Sequence, residues 1–175
     1  MVSIVDNFLT FQESNDLRSY MLTDAGFPWY YSDAIDYVLR PPLDTFQFDH
    51  IFYHPHTMIT SRHTKALIPI LDKICPVAVY RIKANLIART TNIIENSFHT
   101  DIGDLVDSPK EKMEKWTTSI YYVNTNNGYT KFEDGTVVES VANRFITFPS
   151  NLQHTGTSCS DEKVRIVINF NYFST

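Results

Sequence analysis

The chain has 175 residues, a length suited to one domain with one core, and 43% of them are apolar with 14% aromatic, which excludes disorder along its whole length. The formal net charge is −5, and the densest lysines, between Lys110 and Lys115, alternate with Glu111 and Glu114, so that stretch reads as a solvated helix or lid and nucleic acid is disfavoured as a partner. Cys75 and Cys159 are far apart and form no CxxC pair, which argues against a disulfide framework or a thiolate zinc site.

Two free thiols fit a reducing compartment. The opening residues lack a basic segment ahead of an apolar run, and no apolar stretch approaches bilayer length. A cytoplasmic protein with no membrane partner is the expectation.

In chain order, Thr10 and Glu13 form a capping-box pattern. A helix is predicted over Phe11–Leu22, with Phe11, Leu17, Tyr20 and Met21 at helical spacing. Residues 45–53 are aromatic-rich and read as a strand. Residues 62–74 carry Ala66, Leu67, Ile70, Leu71 and Ile74 at intervals of three and four, a second amphipathic helix despite Pro69. His54-Pro55-His56 reads as a proline-constrained surface loop.

From residue 77 the pattern turns to β. Strands are predicted over 77–88, 117–123, Tyr129–Phe132, 136–141, 144–148 and 163–173. Asn127-Gly128 and Asp134-Gly135 are dipeptides that tight hairpins favour, because both turn residues need positive φ. The expectation is one mainly β domain over 1–175, an antiparallel sandwich or barrel formed by 77–175. Residues 1–76 supply helical and strand support packed on it.

The chemistry-bearing feature is Phe98-His99-Thr100-Asp101, followed by His154. In an extended segment, side chains two apart point the same way, so His99 and Asp101 can reach one metal ion together. Two imidazoles and one carboxylate leave adjacent positions open, which suits Fe(II) binding a chelating co-substrate and O2. A lone H-x-D is weak evidence in a chain with six histidines. Its surroundings strengthen it.

Eleven residues after His154 comes Arg165, in a strand whose alternation sets Arg165, Val167, Asn169 and Asn171 on one face. Ile166, Ile168, Phe170 and Tyr172 occupy the other face, which the N-terminal helices can cover. Burying an arginine and two asparagines is costly unless they meet partners. A dicarboxylate is one such partner for the guanidinium, and an acid on a neighbouring strand is another. Tyr121 and Tyr122 must point oppositely, so one can line a pocket while its neighbour packs outside.

Together these residues resemble the Fe(II)/2-oxoglutarate-dependent dioxygenases, particularly the prolyl-hydroxylase-like branch. The order His99-Thr100-Asp101, Ser119 to Asn124, Asn127 to Phe132, Phe148 to Asn151, His154 and Arg165 follows that branch over roughly 79–173. Residues 81–85 and 168–172 also resemble small oxygenases encoded by marine phages. The resemblance implies a double-stranded β-helix, or jelly roll, with flanking helices. It implies that His99, Asp101 and His154 bind iron, and that Arg165, joined by Tyr122, binds the distal carboxylate of 2-oxoglutarate. Asn85 and Asn169 are further pocket-lining candidates.

The activity so implied is hydroxylation of a C–H bond in a prolyl-like peptide or a small molecule, releasing succinate and CO2. Residues 102–116 would serve as a lid. Residues 89–98 lack the Tyr/Gly-rich pattern of many prolyl hydroxylases, which leaves the substrate open. The interval from His154 to Arg165 is slightly long for the branch. A cupin-like binding protein without turnover, or a virion interaction domain, is the competing expectation, since jelly rolls serve all these roles.

Overall fold

A computed structural model describes residues 1–35, 46–102 and 115–174. The expected lid, and the lysine-dense stretch within it, lie outside the described residues from 103 to 114.

The helix over Phe11–Leu22 (α1) forms as its capping box predicts. The Thr10 hydroxyl accepts from the Glu13 N–H at 3.3 Å, and the Glu13 carboxylate accepts from the Thr10 N–H at 2.9 Å. Leu17 and Met21 are buried beneath it, whereas Phe11 stays exposed.

The second helix differs from expectation. Residues Arg62–Leu67 form a 3-10 helix, and the α-helix proper (α2) covers only Ile68–Ile74. Pro69 is the reason: lacking an N–H, it is tolerated in the first turn of an α-helix and not in its interior. The apolar stripe survives, with Leu67 and Ile70 fully buried.

The strands are β1 (Ser3–Val5), β2 (Tyr30–Ser32), β3 (Gln47–His54), β4 (Ile59–Thr60), β5 (Ala78–Ala88), β6 (Trp116–Tyr122), β7 (Tyr129–Phe132), β8 (Val137–Glu139), β9 (Arg144–Pro149), β10 (His154–Gly156) and β11 (Val164–Phe173). Among the described residues they make two antiparallel sheets. The large one runs β1-β9-β6-β11-β5-β3-β2, with β4 beside β3, and the small one runs β10-β7-β8. Strands from the N-terminal support therefore extend the large sheet on both flanks.

Three layers result. Ile166, Ile168, Phe170 and Tyr172 of β11 pack with Leu17, Met21, Leu67 and Ile70 on the helical side, as their alternation predicts. Ile120, Tyr122, Phe132, Val138, Ile146, Phe148 and Val167 fill the space between the sheets. Tyr121 and Tyr122 duly belong to opposite clusters.

Of the two predicted hairpin dipeptides, only Asp134-Gly135 closes a hairpin, between β7 and β8. Gly135 alone of that pair has positive φ, at 88°. Asp134 instead caps the turn by accepting from the Thr136 N–H at 2.9 Å. Asn127-Gly128 closes none, because β6 pairs with β9 and β11 and not with β7. No described helix is long and apolar enough to cross a membrane.

Candidate metal centre

His99 and His154 are joined by the backbone before their side chains come into play. They form an isolated antiparallel bridge and exchange both N–H···O bonds, each 3.0 Å long. Directly opposite residues of such a pair project to the same face, and Asp101, two residues beyond His99, projects with them. One ligand atom from each of His99, Asp101 and His154 lies within 4.8 Å of the others.

Each imidazole faces the backbone with Nδ1. His99 Nδ1 is 3.1 Å from the Ser97 carbonyl and His154 Nδ1 is 3.2 Å from that of Leu152. A carbonyl only accepts, so both rings carry hydrogen on Nδ1 and turn Nε2 away from it, the arrangement that metal-binding imidazoles use. His154 is 2% exposed and its ring stacks edge-on to Phe148 at 4.8 Å. Burial pushes its pKa below the ordinary imidazole value despite Asp101. Its Nε2, left without hydrogen, stands 4.0 Å from Asp101 Oδ2, so two candidate ligand atoms lie side by side.

Asp101 is buried. Burial penalises its charge, but Arg81, the two imidazoles and the Asn171 amide outweigh this and hold its pKa below the usual carboxylate value. Arg81 Nη2 is 3.1 Å from Oδ1, Asn171 Nδ2 is 3.2 Å from Oδ2, and Asn169 Nδ2 is 3.4 Å from both oxygens. The two buried asparagines of β11 thus meet the carboxylate of the H-x-D. Asn169 Oδ1 is the exception, a buried acceptor with no donor among the described residues. It is open to an O–H or N–H on whatever enters.

Arg165 lies on the same face of β11, six residues before Asn171, and is 3% exposed. Its Nε donates to Ser140 at 2.8 Å and its Nη2 to Thr130 at 3.2 Å, and the guanidinium lies 5.8 Å from the Tyr122 ring centre. Among the described residues no carboxylate pairs with it, so the competing expectation of an acid on a neighbouring strand is not met. Burial lowers its pKa, yet a guanidinium stays charged in proteins. Tyr122 donates to Thr130 at 2.7 Å, and burial raises its pKa, so it remains a neutral phenol.

Asn85 pairs in register with Val167 on one side and Asp49 on the other, which puts it on the same face of the large sheet between Arg165 and Asn169. Register thus sets Asn85, Tyr122, Arg165 and Asn169 on one face of the large sheet, and Asn169 joins that face to Asp101 of the cluster. Arg81, Thr130 and Ser140 were missed. Arg81 shares a face with Asn85 by simple alternation, a signal available in the sequence, whereas Thr130 and Ser140 reach Arg165 only through the small sheet.

Neither a protein-family model nor a curated protein sequence matches the chain. Solved structures do. A prolyl hydroxylase from Trichoplax adhaerens, in complex with a hypoxia inducible factor oxygen degradation domain peptide fragment, superposes with a TM-score of 0.62 at 13% identity, over 98% of this chain and 83% of that one. The non-heme alpha ketoglutarate dependent epimerase SnoN from nogalamycin biosynthesis gives 0.65 at 11%, over 99% and 76%. This is the prolyl-hydroxylase fold.

A viral collagen prolyl hydroxylase from Paramecium Bursaria Chlorella virus-1 shares it at a TM-score of 0.56 and 14% identity, over 99% and 90%. The expected jelly roll with flanking helices is thereby established. Within the prolyl-hydroxylase fold, the donor set here fits a divalent iron: two imidazoles and one ionised carboxylate, the latter held by asparagines of the strand face that also carries the buried Arg165.

Proposed function

We propose that the chain is a non-haem Fe(II)- and 2-oxoglutarate-dependent oxygenase that hydroxylates a C–H bond of a peptide, prolyl-like, or of a small molecule. His99, Asp101 and His154 would hold the iron, which when bound supplies O2 activation coupled to decarboxylation of 2-oxoglutarate to succinate and CO2.

The observation that carries this reading is Arg165, a buried guanidinium with no acid partner among the described residues, on the sheet face whose Asn169 and Asn171 contact Asp101. An unpaired buried charge is too costly to keep without a use, and a carboxylate end is its natural complement. Tyr122 and Thr130 shape the cradle around it and would orient the dicarboxylate by hydrogen bonding. Asn85 and Asn169 would line the wall between cradle and metal, with Asn169 Oδ1 taking a donor from a bound molecule. Val167 and Ile120, buried on the same side, keep water out of that wall.

The similar solved structures support the reading through fold, and they include both a peptide-bound prolyl hydroxylase and an enzyme of nogalamycin biosynthesis. Both substrate classes therefore stay in the proposal. Cys75 and Cys159 are free thiols, in keeping with work in the cytoplasm.

The test is succinate formation by purified protein under air with Fe(II) and 2-oxoglutarate, against peptide and small-molecule panels. Turnover should require all three components and vanish in His99→Ala. Metal uptake without any co-substrate consumption, coupled or uncoupled, would reduce the chain to a metal-binding jelly roll.

A further inference from the structure

The carboxylate of Asp101 is held asymmetrically: Oδ1 takes a charged guanidinium donor, whereas Oδ2 takes only a neutral amide, from Asn171 Nδ2 at 3.2 Å. Asn169 stands 3.4 Å from both oxygens and cannot distinguish them. Arg81 can: its Nη2 lies 3.1 Å from Oδ1, while Oδ2 is the oxygen turned toward His154 Nε2, 4.0 Å away. We propose that Arg81 is a positioning residue that occupies Asp101 Oδ1, so that the carboxylate offers only Oδ2 to the cation. The inference rests on reading His99, Asp101 and His154 as a metal site.

The consequence concerns vacancies. A carboxylate that binds through both oxygens takes two positions on a cation, as bidentate carboxylates do at calcium sites. A dicarboxylate that chelates the metal, followed by O2, needs those positions free. A charge-assisted bond from a guanidinium to Oδ1 is strong enough to bias this choice.

The bias is built into the large sheet and does not depend on one flexible arginine. Arg81, Asn171 and Thr118 are direct register partners on β5, β11 and β6. Arg81 Nε donates to Asn171 Oδ1 at 3.2 Å, Asn171 Nδ2 lies 3.1 Å from Thr118 Oγ1, and that hydroxyl is 2.9 Å from Ser150 Oγ. The planar fork of arginine lets Nε hold Asn171 while Nη2 holds Asp101. A lysine could keep the charge but not both bonds. Arg81 is 17% exposed on its side chain, unlike the carboxylate it holds, so substitution there perturbs the periphery of the site and not the core.

Co(II) is the probe, because its visible absorption reports ligand number and geometry without turnover. Wild-type protein should bind Co(II), and 2-oxoglutarate should then bind the loaded protein and change the spectrum. In Arg81→Gln, Co(II) should still bind, with a spectrum altered before any 2-oxoglutarate is added. Affinity of the loaded protein for 2-oxoglutarate should fall by about 10–100-fold, the usual effect of losing a residue that orients a metal ligand. Arg81→Lys should show the same changes at smaller size.

If Arg81→Gln does not give a native near-ultraviolet spectrum, Arg81→Lys carries the test alone. An unchanged cobalt spectrum and unchanged 2-oxoglutarate affinity in the folded variants would make Arg81 a mere counter-ion and overturn the proposal. Failure of wild-type protein to bind Co(II) at all would instead remove the metal site on which it rests.

Discussion

Gly128 is the space that Arg165 occupies: a Cβ at residue 128 would stand 2.7 Å from Arg165 Cδ, and 2.6 Å from the Ser158 carbonyl. The glycine is required by close approach, since its φ is not positive. Gly128→Ala should therefore act twice. Overpacking against a backbone carbonyl should cost about 1–3 kcal/mol of stability, read as a lower Tm. Displacement of Arg165 should also weaken 2-oxoglutarate binding in protein that is still folded, measured by calorimetry at low temperature. A variant with lowered Tm and wild-type affinity would mean that the arginine does not bind the co-substrate.

Arg165 itself separates stability from binding. Arg165→Met replaces a buried, acid-free cation by an apolar chain of similar length, and such exchanges are often neutral or stabilising. The ligand-free variant should melt at or above the wild-type temperature. Addition of 2-oxoglutarate to the metal-loaded wild type at a hundred times its Kd should stabilise it by about 2.7 kcal/mol, and the Met variant by nothing measurable at that concentration. Arg165→Lys should fall between them, because ammonium keeps the charge and loses the two-pronged geometry. Equal ligand stabilisation in all three would remove Arg165 from the site.

How much of this could be read from residues alone differs from element to element. Alternation in 164–173 separated the helix-facing apolar side of β11 from the side carrying Arg165, Asn169 and Asn171, because the strand is buried on both faces yet polar on one. The spacing of His99 and Asp101 likewise needed only strand geometry. Alternation could set Arg81 on the face of Asn85, but that it stands opposite Asn171 depends on the β5–β11 register, which neither strand shows alone. The 3-10 helix before α2 was hidden by periodicity, since positions three apart share a face in both helix types. Asn127-Gly128 misled because a glycine can mark close packing as well as a turn.

The two histidines should respond differently to truncation. His154 packs its ring against Phe148 and Phe132 and is buried, whereas His99 is only half-buried. His99→Ala should thus leave the metal-free Tm nearly unchanged while metal content after anaerobic Fe(II) loading collapses. His154→Ala should lose the metal and also melt earlier, because the space left beside two phenylalanines is not refilled. Paired melting curves and metal analysis check this. Stoichiometric iron retained in His99→Ala would exclude it as a ligand.

Acid titration of the metal-free protein tests the charge state of Asp101. Its folded pKa lies below the unfolded value of about 3.9. A depressed carboxylate contributes stability that is fully present above that unfolded value and is lost as pH falls through the folded one, since the unfolded chain then takes up the proton first. Asp101→Asn lacks this contribution and leaves Arg81 without its anion. The variant should be less stable than wild type at neutral pH, and the two unfolding free energies should converge only below about pH 4. His154, whose pKa burial also depresses, begins to cost stability at higher pH, as the medium falls below about 6.5, and does so in both proteins. Denaturant curves taken from pH 7 to pH 3 give both windows. A stability gap that stays constant down to pH 3 would mean that Asp101 is not ionised in the folded metal-free state, and that Arg81 does not govern it.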